Sequence, residues 1–240
     1  MEKVKYFLRA EQIFLSHGGK AFSRQAFSCS YLRGNVVFVL GENGAGKTTF
    51  LEAILGEKKI LSGNIFLFDK LLSQWRGDTS LFSYVPQVFH LSPMLRGESL
   101  LRLSFFAQSR LFDRISSDSE AWMRRVICQL KLEPFLDRYV SHLSPGEKKQ
   151  LLLASALLKQ PKILLLDEPT SFLDPIASLR FWRALFAYQK EFGFEIVIAT
   201  HDLECVRQWA DVVLVLERGA KIFDGTRDEF FGFKDKWLLS

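Results

Sequence analysis

The residues whose types and spacing point most clearly to a chemical function form the stretch Gly41-Glu42-Asn43-Gly44-Ala45-Gly46-Lys47-Thr48. It follows the apolar run Val36–Leu40 and leads into residues 49–55, an order that predicts a buried strand, a glycine-rich turn and a helix. The glycines allow backbone angles that turn successive N–H groups toward one point. The first turn of the helix adds N–H donors and the positive end of the helix dipole. This stretch therefore predicts a loop that binds phosphate.

The pattern G-x-x-x-x-G-K-[ST] in this context is the phosphate-binding loop of nucleotide triphosphatases. Lys47 would contact the β- and γ-phosphates and act in catalysis, and the Thr48 hydroxyl would ligate Mg²⁺. The alternative is a glycine-rich turn capped by a threonine, which eight fixed positions between a strand and a helix disfavour. The predicted nucleotide-binding residues of this loop are Gly41, Glu42, Asn43, Gly44, Ala45, Gly46, Lys47, Thr48 and Thr49.

Two adjacent carboxylates, Asp167 and Glu168, end the apolar run at residues 163–166. A buried strand would deliver Asp167 to the metal, where it would hold Mg²⁺ through water. Glu168 would take a proton from the attacking water or orient that water. The alternative is a strand that happens to end in acids, and in a chain that also carries the phosphate loop it is the lesser interpretation.

The stretch Leu143-Ser144-Pro145-Gly146-Glu147 predicts the start of a helix over residues 145–159. Ser144 is a good N-cap, Pro145 fits the first helical position, and Glu147 completes a capping box. This structural reading is compatible with a binding role, because the N–H groups at a helix start also bind phosphate.

Together these stretches resemble the ATP-binding cassette (ABC) family, and the resemblance covers nearly the whole chain. The family signature is L-S-G-G-Q, from which this sequence departs at Pro145 and Glu147. Gln87 resembles the glutamine of the Q-loop, residues 171–174 resemble the D-loop, and His201 resembles the switch histidine.

The resemblance implies an ATPase that works as a pair. Two copies would sandwich two ATP molecules, and the helix start at Ser144, Gly146 and Glu147 would face the γ-phosphate held by the other copy. Because Pro145 has no N–H, it removes one donor that the usual glycine offers. Asp174 in the D-loop would also lie at the nucleotide.

Three further roles follow from the same resemblance. Gln87 would contribute to catalysis and to the metal site and would report phosphate occupancy to a partner. His201 would contact the γ-phosphate as a catalytic residue, although a lone histidine at a strand end is more often structural. His17 stands where the family has a tyrosine that stacks on adenine, with Phe14 as a possible substitute. The implied cofactors are ATP and Mg²⁺.

The elements that must position these residues alternate between strands and helices. Apolar stretches predict strands at residues 6–15, 27–32, 36–40, 65–68, 81–87, 163–168, 196–200 and 212–216, with a turn at 61–64. Helical periodicity covers 98–108, 120–130, 145–159 and 176–191, and a capping box at Thr226 and Glu229 predicts a terminal helix. We therefore predict an α/β fold: a RecA-like P-loop NTPase core with a mostly parallel sheet, a small antiparallel β layer and a helical subdomain insertion.

This fold would form a single ABC ATPase domain over residues 1–240, with its core at 1–90 and 160–240 and the helical subdomain at about 91–159.

The net charge of +5 is spread along the chain, so it does not indicate a particular binding partner. The N-terminus lacks the apolar core of a signal peptide. The odd number of cysteines predicts reduced thiols. The expected location is the cytoplasmic face of the inner (plasma) membrane, as a peripheral protein.

The resemblance leaves three functional hypotheses. The preferred one is the ATP-hydrolysing subunit of a transporter, with transmembrane permease subunits as partners, as a homodimer or paired with a related ATPase, and with no nucleic acid. A non-transport cassette ATPase acting on nucleic acid or ribosomes ranks below it, because such relatives usually carry two cassettes or a long coiled coil. A catalytically poor regulatory subunit is disfavoured by the intact Lys47, Asp167, Glu168 and His201. Residues 146–149, 173–175 and 200–204 resemble cassettes of bacterial metal and vitamin importers, which predicts import of a metal ion or small nutrient.

Overall fold

The computed structural model describes residues 5–17, 20, 21, 23, 25–58, 60–75, 78, 80–106 and 116–237. Its strands are β1 (Tyr6–Phe14), β2 (Ser16–His17), β3 (Lys20–Ala21), β4 (Phe27–Leu32), β5 (Val36–Leu40), β6 (Ser62–Leu67), β7 (Lys70–Leu71), β8 (Phe82–Val85), β9 (Ile163–Asp167), β10 (Glu195–Ala199), β11 (Val212–Glu217) and β12 (Ala220–Thr226). Its helices are α1 (Lys47–Leu55), α2 (Gly97–Phe106), α3 (Ser117–Leu130), α4 (Pro145–Leu158), α5 (Pro175–Phe192), α6 (Leu203–Trp209) and α7 (Arg227–Trp237).

The chain divides into two compact units. One consists of Met1–Asp78 and Glu195–Ser240, and the other is Thr79–Phe194. The second unit contains the segment for which a helical insertion is predicted, together with β8 and β9. The functional subdivision of the chain into a core and a helical subdomain at about 91–159 stays a prediction.

The antiparallel layer lies in the first unit, where the strands run in the order β4-β1-β6-β7. The prediction of a turn at residues 61–64 is wrong, because β6 already begins at Ser62 and pairs with β1. The physical reason is the close approach at Gly63: a Cβ there would lie 2.3 Å from the carbonyl oxygen of Glu11. The glycine therefore lets two strands pass closely, a use that the sequence cannot distinguish from a turn.

The parallel strands of the first unit place the phosphate loop. Strand β5 is buried along its whole length and pairs in parallel with β10 and β11. The loop between β11 and β12 turns at Arg218 and Gly219, which both have positive φ, and the two strands form an antiparallel hairpin. Since β5 and β10 are parallel, the residues that follow Leu40 and Ala199 lie at the same edge of the sheet.

In the second unit, β8 and β9 pair in parallel, with Val85 opposite Leu166. Helix α4 packs on β8, and α2, α3 and α5 are packed together with α4. An aromatic contact joins α3 to α5, where the rings of Trp122 and Tyr188 lie 4.7 Å apart. This unit therefore combines the strand end that carries the carboxylates with the helix that begins at the signature.

The ends of the helices test the helix boundaries and capping boxes that the sequence predicts. The capping boxes at Ser144 and at Thr226 are both confirmed, because each hydroxyl accepts from the backbone N–H three residues on. The short helix α6, capped by Asp202, was not predicted. The predicted helix 98–108 extends beyond the described residues, which end at Phe106 in this segment. In the described part of the chain, none of the helices combines the length and apolar character needed to cross a bilayer.

Candidate functional site

The phosphate loop of the first unit has the backbone geometry of an anion cradle. Gly41, Gly44 and Gly46 all have positive φ, and the left-handed Gly46 directly precedes α1. Gly41 also admits no side chain, because a Cβ would lie 2.3 Å from the carbonyl oxygen of Leu216 in β11. A hydrogen bond of 2.8 Å from the N–H of Gly219 to the carbonyl of Ala45 holds the loop from the β11–β12 hairpin.

Lys47 lies across this loop rather than in solvent. Its side chain is 7% exposed, and Nζ donates to the carbonyl oxygens of Gly41 at 2.7 Å and Glu42 at 3.2 Å. These acceptors hold the ammonium over the loop, where it would face a bound phosphate. The loop therefore fits a triphosphate by its geometry and by its charge.

The remaining predicted residues of the first unit lie around the loop. Thr48 and Thr49 belong to the first turn of α1, whose N–H groups point out of the start of the helix. Because Ala199 pairs with Val39, His201 follows its strand at the same edge of the sheet as Gly41. His201 is exposed. The backbone of His17 belongs to the β2–β3 ladder; its side chain and the neighbouring Gly18-Gly19 lie outside the described residues.

In the second unit, the two carboxylates stand at the end of β9. Asp167 is 1% exposed and Glu168 is 6% exposed. Glu168 adopts a left-handed backbone conformation with φ of 45°, and its carbonyl oxygen accepts from both the N–H and the hydroxyl of Ser171. Carboxylate oxygen is a ligand type that Mg²⁺ prefers, so Asp167 fits the predicted metal role by its chemistry.

Gln87 follows β8 at the edge where β9 delivers these acids. Since Val85 lies opposite Leu166, the parallel register carries Pro86 and Gln87 past the end of β8 beside Asp167 and Glu168. Gln87 itself is exposed. The second unit thus brings together three of the residues that the sequence predicts for hydrolysis: Gln87, Asp167 and Glu168.

The signature forms a capped and exposed helix start. The N–H of Ser144 donates to Glu147 Oε2 at 2.7 Å, and the Ser144 hydroxyl accepts from the N–H of Glu147 at 3.2 Å. Arg138 pairs with the other oxygen of the same carboxylate at 3.0 Å. Burial opposes ionisation of Glu147, but the hydrogen bonds from Ser144 and the Arg138 pair outweigh it and lower its pKa. Glu147 is therefore held in its ionised form and paired with Arg138, an interaction that the sequence did not indicate.

The D-loop touches the signature helix directly. A Cβ on Gly146 would lie 2.5 Å from the carbonyl oxygen of Phe172, so only glycine fits there without a shift of the backbone. Phe172 itself has φ of 71° and is 66% exposed. Asp174 caps α5 by accepting from the N–H groups of Ile176 and Ala177, both at 2.9 Å. In this structure the Asp174 carboxylate thus caps the start of α5, and its contact with nucleotide stays a prediction.

Lys149 is a residue near the site that the sequence reading missed. Its side chain is fully buried, although it lies in α4 only five residues after the exposed Ser144. Nζ donates to the carbonyl oxygen of Pro86 at 3.0 Å. Burial lowers the pKa of Lys149 to about 8, and the carboxylates of Asp167 and Glu168 act in the opposite direction. A signal existed in the helical spacing, because Lys149 stands in the buried stripe that continues at residues 153 and 156.

Comparison with models of known protein families matches the phosphate loop, the signature and the two carboxylates to one family. The family model described as ABC transporter matches residues 25–171, which include the phosphate loop, the signature and both carboxylates. A shorter match, over residues 136–207, is to a model described as an AAA domain, putative AbiEii toxin, Type IV TA system.

Individual relatives agree with the longer match. The chain is 30% identical over 236 residues to an energy-coupling factor transporter ATP-binding protein of Clostridium perfringens. This alignment covers 96% of this chain and 81% of the relative. It is 30% identical over 214 residues to a zinc import ATP-binding protein of Halorhodospira halophila, covering 88% and 74% of the two chains. A solved ATP-binding subunit of an ABC transporter superposes with a TM-score of 0.83 at 25% identity, over 97% of this chain and 98% of the other. These matches confirm the predicted fold, and the chain belongs to the ABC transporter family as an ATP-binding subunit that hydrolyses ATP to power transport.

Proposed function

We propose that this chain is the ATPase subunit of an importer and that it works by ATP-dependent closure of a pair of cassettes. The observation that carries this proposal is the exposed helix start at Ser144. Ser144 and Pro145 are exposed, Gly146 is backed by the D-loop at Phe172, and the positive end of the α4 dipole therefore faces solvent. Such a surface suits a nucleotide held by a second copy.

The hydrolytic roles follow from the positions within each unit. Lys47 would transfer its hydrogen bonds from the Gly41 and Glu42 carbonyls to the phosphates, and Thr48 would ligate Mg²⁺. Asp167 and Gln87 would complete the metal site through water, and the ion would supply charge neutralisation at the phosphates. Glu168 would orient the attacking water and accept its proton. This role is supported by its position directly after β9, on the side of that strand where Gln87 follows the neighbouring β8.

A second copy, or a related ATPase, would complete the nucleotide site. Ser144, Gly146 and Glu147 would face the partner's γ-phosphate, with Arg138 reducing the repulsion between Glu147 and that anion. Asp174 would lie at the same interface, next to the exposed apolar side chains Phe172 and Ile176. The γ-phosphate would bridge the two copies, and its loss on hydrolysis would let them separate. His201 would contact that phosphate, and His17 would stack on adenine.

The partners and location are proposed from the relatives. Energy-coupling factor and zinc import ATP-binding proteins carry the name of a transport system, which supports a permease as the partner of this chain. We place the chain at the cytoplasmic face of the membrane, bound to such a permease. The cargo class that these relatives support is a metal ion or a small nutrient.

The test of this proposal is the variant Glu168→Gln, which preserves the shape of the side chain but removes the base. We expect it to bind ATP, to lose hydrolysis and to accumulate as an ATP-dependent dimer in size-exclusion chromatography with light scattering. Lys47→Ala in the same background is the matched control, and it should remain monomeric with ATP because a charge that faces phosphate is lost. Hydrolysis by Glu168→Gln at the unmodified rate would show that Glu168 is not the base.

Transport is tested by isolating the tagged chain from its native membranes. An integral membrane protein should be recovered with the unmodified chain and with Lys47→Ala. If ATP and buffer release it from the Lys47→Ala variant to the same extent, it is a permease that binds independently of nucleotide. Recovery of ribosomes or nucleic acid instead would contradict the transport assignment.

A further inference from the structure

We propose that Lys149 is a positioning residue for Gln87: its buried ammonium ties the signature helix to the peptide that precedes Gln87. The inference rests on the proposed function, because it assumes that Gln87, Asp167 and Glu168 act in hydrolysis. It adds to that function a hydrogen-bonded connection between the helix start that would meet a second copy and Gln87, which would lie beside the metal.

The hydrogen bond of Lys149 lies directly next to Gln87 in the chain. Lys149 Nζ donates to the carbonyl oxygen of Pro86 at 3.0 Å, and this carbonyl belongs to the peptide that continues into Gln87. The same Nζ lies 5.5 Å from the ring centre of Phe89, a distance suited to a cation–π contact. Lys149 therefore contacts the chain on both sides of Gln87, before it and after it.

Burial of the Lys149 ammonium group costs free energy. An ammonium group in the protein interior is stable only when charges and acceptors replace its hydration. Lys149 is fully buried, and its charged form is favoured by Asp167 and Glu168 at the end of β9. Packing alone would be served better by an apolar residue, as it is at Leu153 one turn along the same stripe.

The Lys149 contact also connects the start of helix α4 to Gln87. Helix α4 packs on β8, and Lys149 is the side chain through which this helix reaches the carbonyl just beyond the end of that strand. A shift of the helix start at Ser144 would thus be transmitted to Gln87 through one hydrogen bond. Because a displacement of about 1 Å in a catalytic group can lower the rate by up to about 100-fold, loss of this hydrogen bond should be visible in kcat.

The decisive variant is Lys149→Met, which keeps the length of the side chain but removes its charge and its donor. Replacing a buried charge by an apolar group of similar volume is often neutral or stabilising, so the unfolding midpoint should be unchanged or raised. We expect kcat for ATP to fall at least about 10-fold, while KM stays within about threefold, because the phosphate loop is untouched. Lys148→Met, at the neighbouring half-exposed position, is the control and should change neither value.

A readout without nucleotide separates positioning from a general effect on folding. In Lys149→Met, amide hydrogen exchange should accelerate in the peptide that spans residues 82–90 and stay unchanged in the first turn of α1. Exchange that is unchanged around Gln87, or a kcat within about twofold of the unmodified protein, would overturn the proposal. So would a loss of activity that matches a loss of folded protein in both Lys149→Met and Lys149→Gln, because that pattern indicates a purely structural lysine.

The outcome is distinguishable from failure of the proposed function. If Glu168→Gln loses hydrolysis and dimerises with ATP while Lys149→Met remains fully active, only the inference about Lys149 fails. If Glu168→Gln hydrolyses ATP normally, the assignment of the hydrolytic residues fails, whatever the behaviour of Lys149.

Discussion

The contact between Gly146 and the D-loop makes a quantitative prediction for the variant Gly146→Ala. An added Cβ would lie 2.5 Å from the carbonyl oxygen of Phe172, whereas ordinary contact begins at 3.4 Å. The carbonyl or the helix start must therefore move by about 0.9 Å. The atom in the way belongs to the backbone, so no rotation of a flexible side chain can relieve the overlap.

Two effects of opposite sign decide the stability of this variant. Overpacking a tight contact costs about 1–3 kcal/mol. Alanine favours a helix over glycine by up to about 1 kcal/mol in the helix interior, and Gly146 stands only at the second helical position, where this gain is smaller. We therefore expect a net loss of about 1–2 kcal/mol in the free energy of unfolding. The displaced D-loop should also lower kcat for ATP about 10-fold, since catalytic geometry is sensitive to shifts of about 1 Å.

The assay is urea unfolding together with steady-state hydrolysis, and the chain offers a matched control. Gly232 lies inside α7, and a Cβ there would meet nothing within 4 Å. Gly232→Ala should therefore stabilise the protein by about 0.5–1 kcal/mol without changing kcat. If Gly146→Ala were as stable as Gly232→Ala and fully active, helix propensity would dominate, and the reasoning about the D-loop contact would be refuted.

Three further predictions concern the scaffold, and urea unfolding measures each of them. Asp202→Ala should lower the free energy of unfolding by about 0.5–2 kcal/mol, because the Asp202 carboxylate caps α6. An unchanged unfolding midpoint would mean that water caps the helix equally well. Phe50→Ala should cost about 3–5 kcal/mol, since this ring on α1 is fully buried against Phe27, and a loss below about 1 kcal/mol would mean that the core refills the cavity. Burial raises the pKa of Glu195 despite its hydrogen bonds from Gly34 and Arg33. The stability that Glu195 contributes relative to Glu195→Gln should therefore be greatest below its unfolded value of 4.5 and should decline as pH rises through the raised native pKa; a difference that grows with pH would contradict this sign.

The phosphate loop could be predicted from sequence because its residue types are imposed by backbone geometry. Gly41 must lack a side chain where β11 passes, and Gly46 must adopt a left-handed conformation before α1. The strands β5 and β9 were equally clear, because both are buried on every side chain and read as continuous apolar runs. Where local chemistry leaves no choice, the pattern and the structure agree.

Prediction was wrong or silent where long-range contacts decide the local structure. Ser62 and Gly63 have the composition of a turn, but they extend β6 because β1 passes close by. Helix α6 was missed for a local reason, because its seven residues are too few to show helical periodicity. Lys149, in contrast, is ambiguous in the sequence because long-range packing decides its burial. A lysine beside Lys148 indicates a solvated face until the packing of α4 on β8 places it inside.

The link between Glu168 and the D-loop shows how such contacts assemble the site. Alternation along a strand would send Asp167 and Glu168 to opposite faces. Strand β9 ends at Asp167, however, and the left-handed backbone of Glu168 releases it from this alternation. A non-glycine residue keeps such a conformation only when its surroundings enforce it. Here Ser171 supplies that restraint, because its N–H and its hydroxyl both donate to the carbonyl of Glu168, at 3.2 Å and 2.7 Å. The carbonyl of the next residue, Phe172, in turn closes on Gly146, so the backbone of the proposed base and the start of the signature helix are held by one short segment.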